Sequence, residues 1–262
     1  MSNFASNPVL RCEGLEISFG GLTAVNAFDI EVRRGEIAGL IGPNGAGKTT
    51  VFNLLTKVYE PNAGRIELNG EDCEGKTTVQ LSKMGIARTF QNIRLFNKLS
   101  VIDNVKVAMN RSMGYGLFDG LFRTPRCRRQ EKELERKALE LLAIFDMQDL
   151  ASARADSLPY GAQRRLEIAR ALATEPSLLL LDEPAAGMNP RETEDLMASI
   201  AEISEKFNIA ILLIEHDMKL VMGICENITV LNFGEVIARG TPADIQSNPA
   251  VIEAYLGSDE EA

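Results

Sequence analysis

Ile37-Ala38-Gly39-Leu40-Ile41-Gly42-Pro43-Asn44-Gly45-Ala46-Gly47-Lys48-Thr49-Thr50 is the stretch whose reading decides the fold. Its mostly apolar start, Ile37 to Ile41, reads as a buried strand. Glycines at 42, 45 and 47 then allow a tight turn with its N–H groups facing inward, and Val51 to Tyr59 carries apolar residues at helical spacing. Strand, GxxxxGK(S/T) and helix in that order is the context a phosphate loop requires. Successive backbone N–H groups form a concave nest, and the helix N-terminus adds partial positive charge. Lys48 is placed to reach the outer phosphates of a nucleotide, and the Thr49 hydroxyl to ligate Mg²⁺. Gly42, Pro43, Asn44, Gly45, Ala46, Gly47, Lys48, Thr49 and Thr50 are therefore the expected phosphate-binding residues. A turn that merely needed glycine would not need Gly-Lys-Thr in sequence, so the chain is expected to bind a nucleoside triphosphate.

Outward from that loop, the bulk properties bound the rest. A chain of 262 residues makes one large domain or two small ones with a full core. The formal charge of −9 provides no global field for nucleic acid, so phosphate binding has to be local and no nucleic-acid partner is expected. Cys12, Cys73, Cys127 and Cys225 are far apart, without CxxC or metal spacing, and read as reduced thiols. The apolar runs Ile209–Ile214 and Leu178–Leu181 fall far short of the ~20 residues that cross a bilayer. No basic segment followed by an apolar one opens the chain, so no secretory leader is expected. Any link to a membrane then runs through a partner. The acidic end, 258–262, reads as a frayed tail.

Upstream of the loop, residues 9 to 33 read as two strands around Ser18-Phe19-Gly20-Gly21. Phe19 either packs in the core or returns to cover a purine base. Downstream, Arg65 to Asn69 reads as a short strand, and the amphipathic Val79–Met84 leads into Ile86-Ala87-Arg88-Thr89-Phe90-Gln91. From about 97 to 157 the pattern turns helical, clearest over Glu131–Met147, where Glu133 and Lys137 stand at i,i+4. Gly114 to Gln130 reads as a loop ending in Arg123, Arg126, Arg128 and Arg129, either solvated and paired with the following glutamates or facing lipid headgroups or a membrane partner. Leu158 to Gln163 opens a helix over Arg164–Ala173. Two apolar strands follow, Ser177–Leu181 ending in Asp182-Glu183-Pro184 and Ile209–Ile214 ending in Glu215-His216-Asp217. Between them Asn189-Pro190-Arg191-Glu192 is a capping box with proline at the first helical position. Thr229–Ala238 reads as a hairpin.

Strands alternating with helices predict an α/β fold with a mostly parallel sheet. The phosphate loop, Asp182-Glu183 and His216 each follow an apolar strand, so they gather at the carboxyl edge where such sheets bind ligands. Asp182 at the end of a buried strand needs a cation, and the phosphate-loop arrangement supplies Mg²⁺. Glu183 is suited to orient a water at the γ-phosphorus, or is a surface charge. His216, the only histidine, is either structural or in contact with phosphate.

The order GPNGAGKT, Thr89-Phe90-Gln91, Leu158–Gln163, LLLLDEP and Glu215-His216-Asp217 resembles the ATP-binding cassette of ABC transporters over nearly the whole chain. The resemblance implies ATP and Mg²⁺ as ligands, Phe19 as the adenine-stacking aromatic, and Thr49, Gln91 and Asp182 at the metal. It implies Glu183 as catalytic base, His216 as the γ-phosphate switch, and Lys48 and Gln91 in catalysis, with Gln91 also linking the site to a membrane subunit. The fold it implies is a P-loop NTPase core over 1–91 and 163–257, with an antiparallel β subdomain and an inserted helical subdomain over 92–162. Arg88 to Phe96, the insert around 114–130, Arg164–Arg170, Asp182–Pro190 and Leu213–Met218 more narrowly resemble the ATPases of bacterial branched-chain amino acid importers. That implies a peripheral protein on the cytoplasmic face of the inner membrane. Its partners would be a second, similar ATPase paired head to tail, two membrane permeases and, indirectly, a periplasmic amino-acid-binding protein. The cargo would be leucine, isoleucine and valine.

In this family the signature that completes the partner's phosphate site usually reads LSGGQ. Here Leu158, Pro159, Tyr160, Gly161, Ala162 and Gln163 stand there, so Pro159 brings no hydroxyl and Ala162 no side-chain amide. A serine hydroxyl on a charged phosphate is worth ~1.5–3 kcal/mol. The site housed on the partner is thus expected to be weakened while this chain's own loop is intact. Asn189 likewise replaces the family's usual aspartate. An exporter, a lipid-transport or other amino-acid or amide ATPase would share the cassette. A DNA-repair ATPase would carry long coiled coils or cysteine pairs, and a non-hydrolysing cassette would lack Glu183 or Lys48.

Overall fold

In the computed structural model, residues 8–109 and 125–256 are described. The expected tail, and Arg123 of the basic cluster, lie outside them. Strands β1 (Leu10–Phe19) and β2 (Leu22–Val32) are followed by β3 (Ile37–Ile41), α1 (Lys48–Leu55), β4 (Ala63–Leu68), β5 (Glu71–Asp72), α2 (Thr78–Met84) and β6 (Ile86–Arg88). Helices α3 (Val101–Met109), α4 (Pro125–Ala143) and α5 (Tyr160–Leu172) come next. Then follow β7 (Leu178–Asp182), α6 (Pro190–Phe207), β8 (Ala210–Ile214), α7 (Met218–Ile224), β9 (Asn227–Asn232), β10 (Glu235–Gly240), α8 (Pro242–Gln246) and α9 (Pro249–Leu256).

Two sheets result. One is six-stranded in the order β10-β9-β3-β8-β7-β6, parallel except for β10; the other is four-stranded and antiparallel in the order β2-β1-β4-β5. Strands β3, β7 and β8 are buried at every position, which is why they are apolar runs apart from Asp182 at the end of β7. Their alternate side chains still part to two cores. Leu179, Leu181, Ile211 and Leu213 join Leu142, Leu166 and Leu196 from the helices and Phe145 from the turn after α4, while Leu178, Leu180, Leu212 and Ile214 join Phe52 and Leu54 of α1 and Phe28 of the antiparallel sheet. Each fully buried leucine contributes roughly 1.5–3 kcal/mol to this sandwich.

The anticipated caps are present. The Asn189 side chain accepts from Arg191 and Glu192 N–H with Glu192 returning to the Asn189 N–H, and Thr241 and Asp244 do the same for α8. Three local expectations change. Ile86–Arg88, not anticipated as a strand, forms the edge of the parallel sheet beside β7. Residues 125–130, anticipated as loop, are the first turns of α4, with Pro125 at its start, where a missing N–H costs nothing. Glu133 pairs with Arg136 rather than Lys137, and Lys137 instead reaches Glu175 at 3.7 Å.

Candidate functional site

The loop between β3 and α1 is shaped by its glycines at two points in particular. Gly42 has φ +152°, and a Cβ there would lie 1.9 Å from the Leu231 carbonyl oxygen of β9; Gly47, with φ +104°, would meet the Ala24 carbonyl at 2.7 Å. The hairpin between β9 and β10 fastens the loop from outside, with Gly234 N–H donating to Ala46 O at 2.9 Å. Lys48 is 6% exposed and turns back over the loop, donating from Nζ to Gly42 O at 2.7 Å and Pro43 O at 2.9 Å. Burial lowers its pKa, while Glu183 and Asp182 act in the opposite direction. A triphosphate would give this buried ammonium better partners than two neutral carbonyls.

Parallel pairing delivers the other groups to the same edge. Asp182 at the end of β7 pairs in register with Ile214 at the end of β8, and Leu40 of β3 also pairs with Ile214. Glu183 sits in the left-handed region at φ +48°, a costly conformation for a non-glycine residue, while its N–H donates to Ile214 O at 2.9 Å. Its carboxylate is held from both sides. Gln91 Nε2 donates to Oε2 at 2.9 Å, and His216 Nε2 donates to Oε1 at 2.9 Å. Residues 91, 183 and 216, each singled out in the sequence, thus form one hydrogen-bonded chain.

Asp182 departs from the sequence expectation. Its buried charge is already compensated within the protein, because Arg88 Nη2 donates to Oδ2 at 2.8 Å with the two side chains 7% and 5% exposed. Arg88 is itself held by Asn53 Oδ1 at 2.8 Å and lies over the rings of Phe52 and Phe90. The Asp182 oxygen that Arg88 leaves, together with the exposed Thr49 hydroxyl on the first turn of α1, is a hard oxygen set that fits Mg²⁺. No group of three Asp, Glu, His or Cys side chains is arranged to hold a metal ion among the described residues, so any metal would be held by few protein ligands and a nucleotide's phosphates.

Phe19 ends β1 on the surface, 45% exposed, with its ring edge-on to Tyr59 at 5.2 Å. An exposed aromatic at the end of a strand is available for stacking rather than spent in the core. Pro159 is the N-cap of α5 and offers no side-chain hydrogen bond; Tyr160 is 47% exposed, while Leu158, Gly161 and Ala162 are buried. Gln163 turns inward, donating to Leu158 O at 2.9 Å.

The sequence reading missed Arg164. It is fully buried, with Nη1 donating to Phe90 O at 2.6 Å and Glu167 Oε2 at 3.1 Å, and Nη2 donating to Gln91 O at 2.5 Å. Glu167 also accepts from Arg94 N–H at 3.2 Å, and burial raises its pKa. The signature helix is therefore pinned to the Gln91 segment. Arg88 and Glu215 escape a sequence reading because each bonds across to a distant segment, Arg88 to Asp182 and Glu215 to the Ala185 N–H.

A glycine-shaped loop with an inward lysine at the carboxyl edge of a parallel sheet, faced by an acid pair and a histidine, defines a P-loop nucleotide-binding ATPase. Comparison with known proteins narrows this. The "ABC transporter" family model matches residues 25–186, and "Branched-chain amino acid ATP-binding cassette transporter" matches residues 235–261. The chain belongs to the ABC transporter family, as an ATPase subunit of the ATP-binding cassette type. It is 48% identical over 252 residues to the high-affinity branched-chain amino acid transport ATP-binding protein BraF of Pseudomonas aeruginosa, covering 96% of this chain and 99% of BraF. To LivG of Escherichia coli, of the same description, it is 51% identical over 252 residues with the same coverage. The solved ADP-bound cassette MJ1267 of an ABC transporter superposes with a TM-score of 0.83 at 30% identity, covering 96% of this chain and all of that one. Among the described residues no helix is long and apolar enough to cross a membrane.

Proposed function

We propose that this chain is the ATP-hydrolysing subunit of a bacterial importer of branched-chain amino acids. Near-full-length similarity to BraF and LivG supports the cargo class, and no residue described here needs to touch an amino acid. The observation that carries the catalytic reading is the double restraint on Glu183, held at 2.9 Å by Gln91 on one oxygen and by His216 on the other.

In this reading Lys48 and the loop N–H groups grip the outer phosphates, and Phe19 stacks on adenine. Thr49, Gln91 and the remaining oxygen of Asp182 would hold Mg²⁺, which would supply positive charge to offset that of the phosphates. Each Glu183 oxygen accepts one hydrogen bond in the structure and keeps a second acceptor site for the attacking water. An arriving γ-phosphate draws the His216 Nε2–H towards itself. Oε1 then loses a hydrogen bond that stabilised its charged form, which makes Glu183 a stronger base towards that water.

The division into a nucleotide-binding core, 1–91 and 163–257, and a helical subdomain, 92–162, belongs to the same reading. So does a head-to-tail partner ATPase meeting Leu158–Gln163. A groove of about 280 Å³ beside the Gln91 segment, lined among others by Arg88, Phe90, Ala108, Glu167 and Arg170, supports docking of a permease there. With a periplasmic amino-acid-binding protein upstream, the chain would sit peripherally on the cytoplasmic face of the inner membrane.

The test is co-purification with the membrane subunits and binding protein, then ATP turnover with each amino acid in turn. Stimulation by leucine, isoleucine and valine is expected, with Glu183→Gln and His216→Ala abolishing most turnover. Stimulation by an unrelated solute alone would overturn the cargo, and full turnover in Glu183→Gln would overturn the base assignment.

A further inference from the structure

Glu215 is a buried acid that the mechanism above does not use. It follows β8 directly and is 3% exposed, yet none of the ion pairs among the described residues includes it. Its partners are all backbone N–H groups. Oε1 accepts from Ala185 at 2.7 Å, and Oε2 accepts from His216 at 3.0 Å and from Asp217 at 3.5 Å. Ala185 lies on the turn just after Glu183, so the carboxylate joins the turn carrying Glu183 to the turn carrying His216.

The need for such a joint follows from the topology. Strands β7 and β8 stay in register up to Asp182 and Ile214, after which the sheet ladder ends. Past that point the Glu183 N–H donates to Ile214 O, and the Glu215 carboxylate carries the connection onward. Keeping an acid here is costly. Burial and the nearby Glu183 both raise its pKa, and only the N–H groups offset that. A site that needed only filling would be served by an apolar residue at lower cost.

We propose that Glu215 is a positioning residue for hydrolysis, fixing the separation of Glu183 and His216 by clamping the backbone of both turns through one carboxylate. Among the described residues its hydrogen bonds are to backbone N–H groups alone, and it is shut away from the surface of the site. The inference rests on the catalytic reading of Glu183 and His216 given above, and it goes further by assigning the preorganisation of that pair to a residue outside it.

The experiment uses the full chain in its transporter assembly, with Mg-ATP affinity followed by a fluorescent ATP analogue and turnover measured separately. In Glu215→Gln one clamped N–H faces an amide NH₂ instead of an oxygen. Turnover is expected to fall about tenfold or more, equal to about 1.4 kcal/mol on the barrier. Affinity for Mg-ATP is expected to stay within about twofold, because the phosphate loop is untouched. Glu215→Asp, which keeps the charge but shortens the span, is expected to split the two parameters in the same direction. It decides the matter if the glutamine variant does not fold. Unchanged turnover, or turnover and affinity falling together, overturns the proposal. If Glu183→Gln and His216→Ala are slow while Glu215→Gln is fast, this inference alone is lost; if those reference variants run at full rate, the catalytic reading beneath it fails first.

Discussion

Arg88 holds one carboxylate oxygen of Asp182 at 2.8 Å, with both side chains shut away from solvent. The cation that a buried aspartate requires is therefore part of the protein, and a metal has only the second oxygen to engage. Breaking such a pair from one side leaves an uncompensated buried charge and costs about 3–5 kcal/mol. Arg88→Met is expected to lower unfolding stability by that order in urea titration. Combining it with Asp182→Leu should recover most of the loss. Additive losses in the double variant would show that the pair is not coupled.

Nucleotide affinity is expected to depend on alkaline pH through Lys48. Burial lowers its pKa below that of a free lysine, so between the lowered and the ordinary value the unfolded chain binds more protons than the folded one. Stability without nucleotide therefore gains from Lys48 as pH rises across that window. Phosphate binding requires the charged form, so ATP affinity should fall over the same range, with proton uptake on binding. Titrating the affinity between about pH 7 and about pH 10 checks the slope, and Lys48→Ala should both weaken binding and flatten it.

Pro159→Ser restores at the N-cap of α5 the hydroxyl that Pro159 lacks. A capping serine typically adds ~1 kcal/mol to a helix, so the melting temperature should rise slightly. If the signature loop serves a partner's phosphate site, turnover of the assembled pair should rise as well, by up to the ~1.5–3 kcal/mol of a hydrogen bond to a charged group. Nucleotide affinity of the isolated chain should not change. A serine variant with unaltered paired turnover would show that Pro159 does not limit that site.

Three thiols should be silent in the native protein. Cys12, Cys73 and Cys225 are all buried, and burial pushes Cys73 up to about 11, Cys225 to about 12 and Cys12 well above its usual value. Because the thiolate is the nucleophile, these residues should resist alkylation near neutral pH and react once denatured. Peptide mapping after native and denatured labelling gives the comparison.

Much of this architecture is legible in the sequence because β3, β8 and the first four residues of β7 carry no polar side chain and each run is followed directly by polar chemistry. That juxtaposition alone places Lys48, Asp182, Glu183 and His216 along one edge of the sheet. What could not be read locally was the strand β6: Ile86–Arg88 is too short to show a period, and it becomes a strand only because β7 lies alongside. Arg88 was illegible for the same reason, since its partner Asp182 is distant in sequence and the aspartate's burial alone suggested a metal. Glu133 shows the opposite failure. Three cations, Arg129, Arg136 and Lys137, stand within helical reach of it, and spacing alone favours Lys137 over Arg136, whose guanidinium can fork to both carboxylate oxygens.

Arg164 grips the main chain of Phe90 and Gln91 from inside the helix that begins at Tyr160. Because the acceptors are main-chain carbonyls, no rotation of the Phe90 or Gln91 side chain can undo the grip, and the start of the helix is tied to the Gln91 segment through one guanidinium. A displacement of the Gln91 main chain is therefore expected to reach Tyr160, whose hydroxyl lies 3.3 Å from the same guanidinium, without passing through any other side chain.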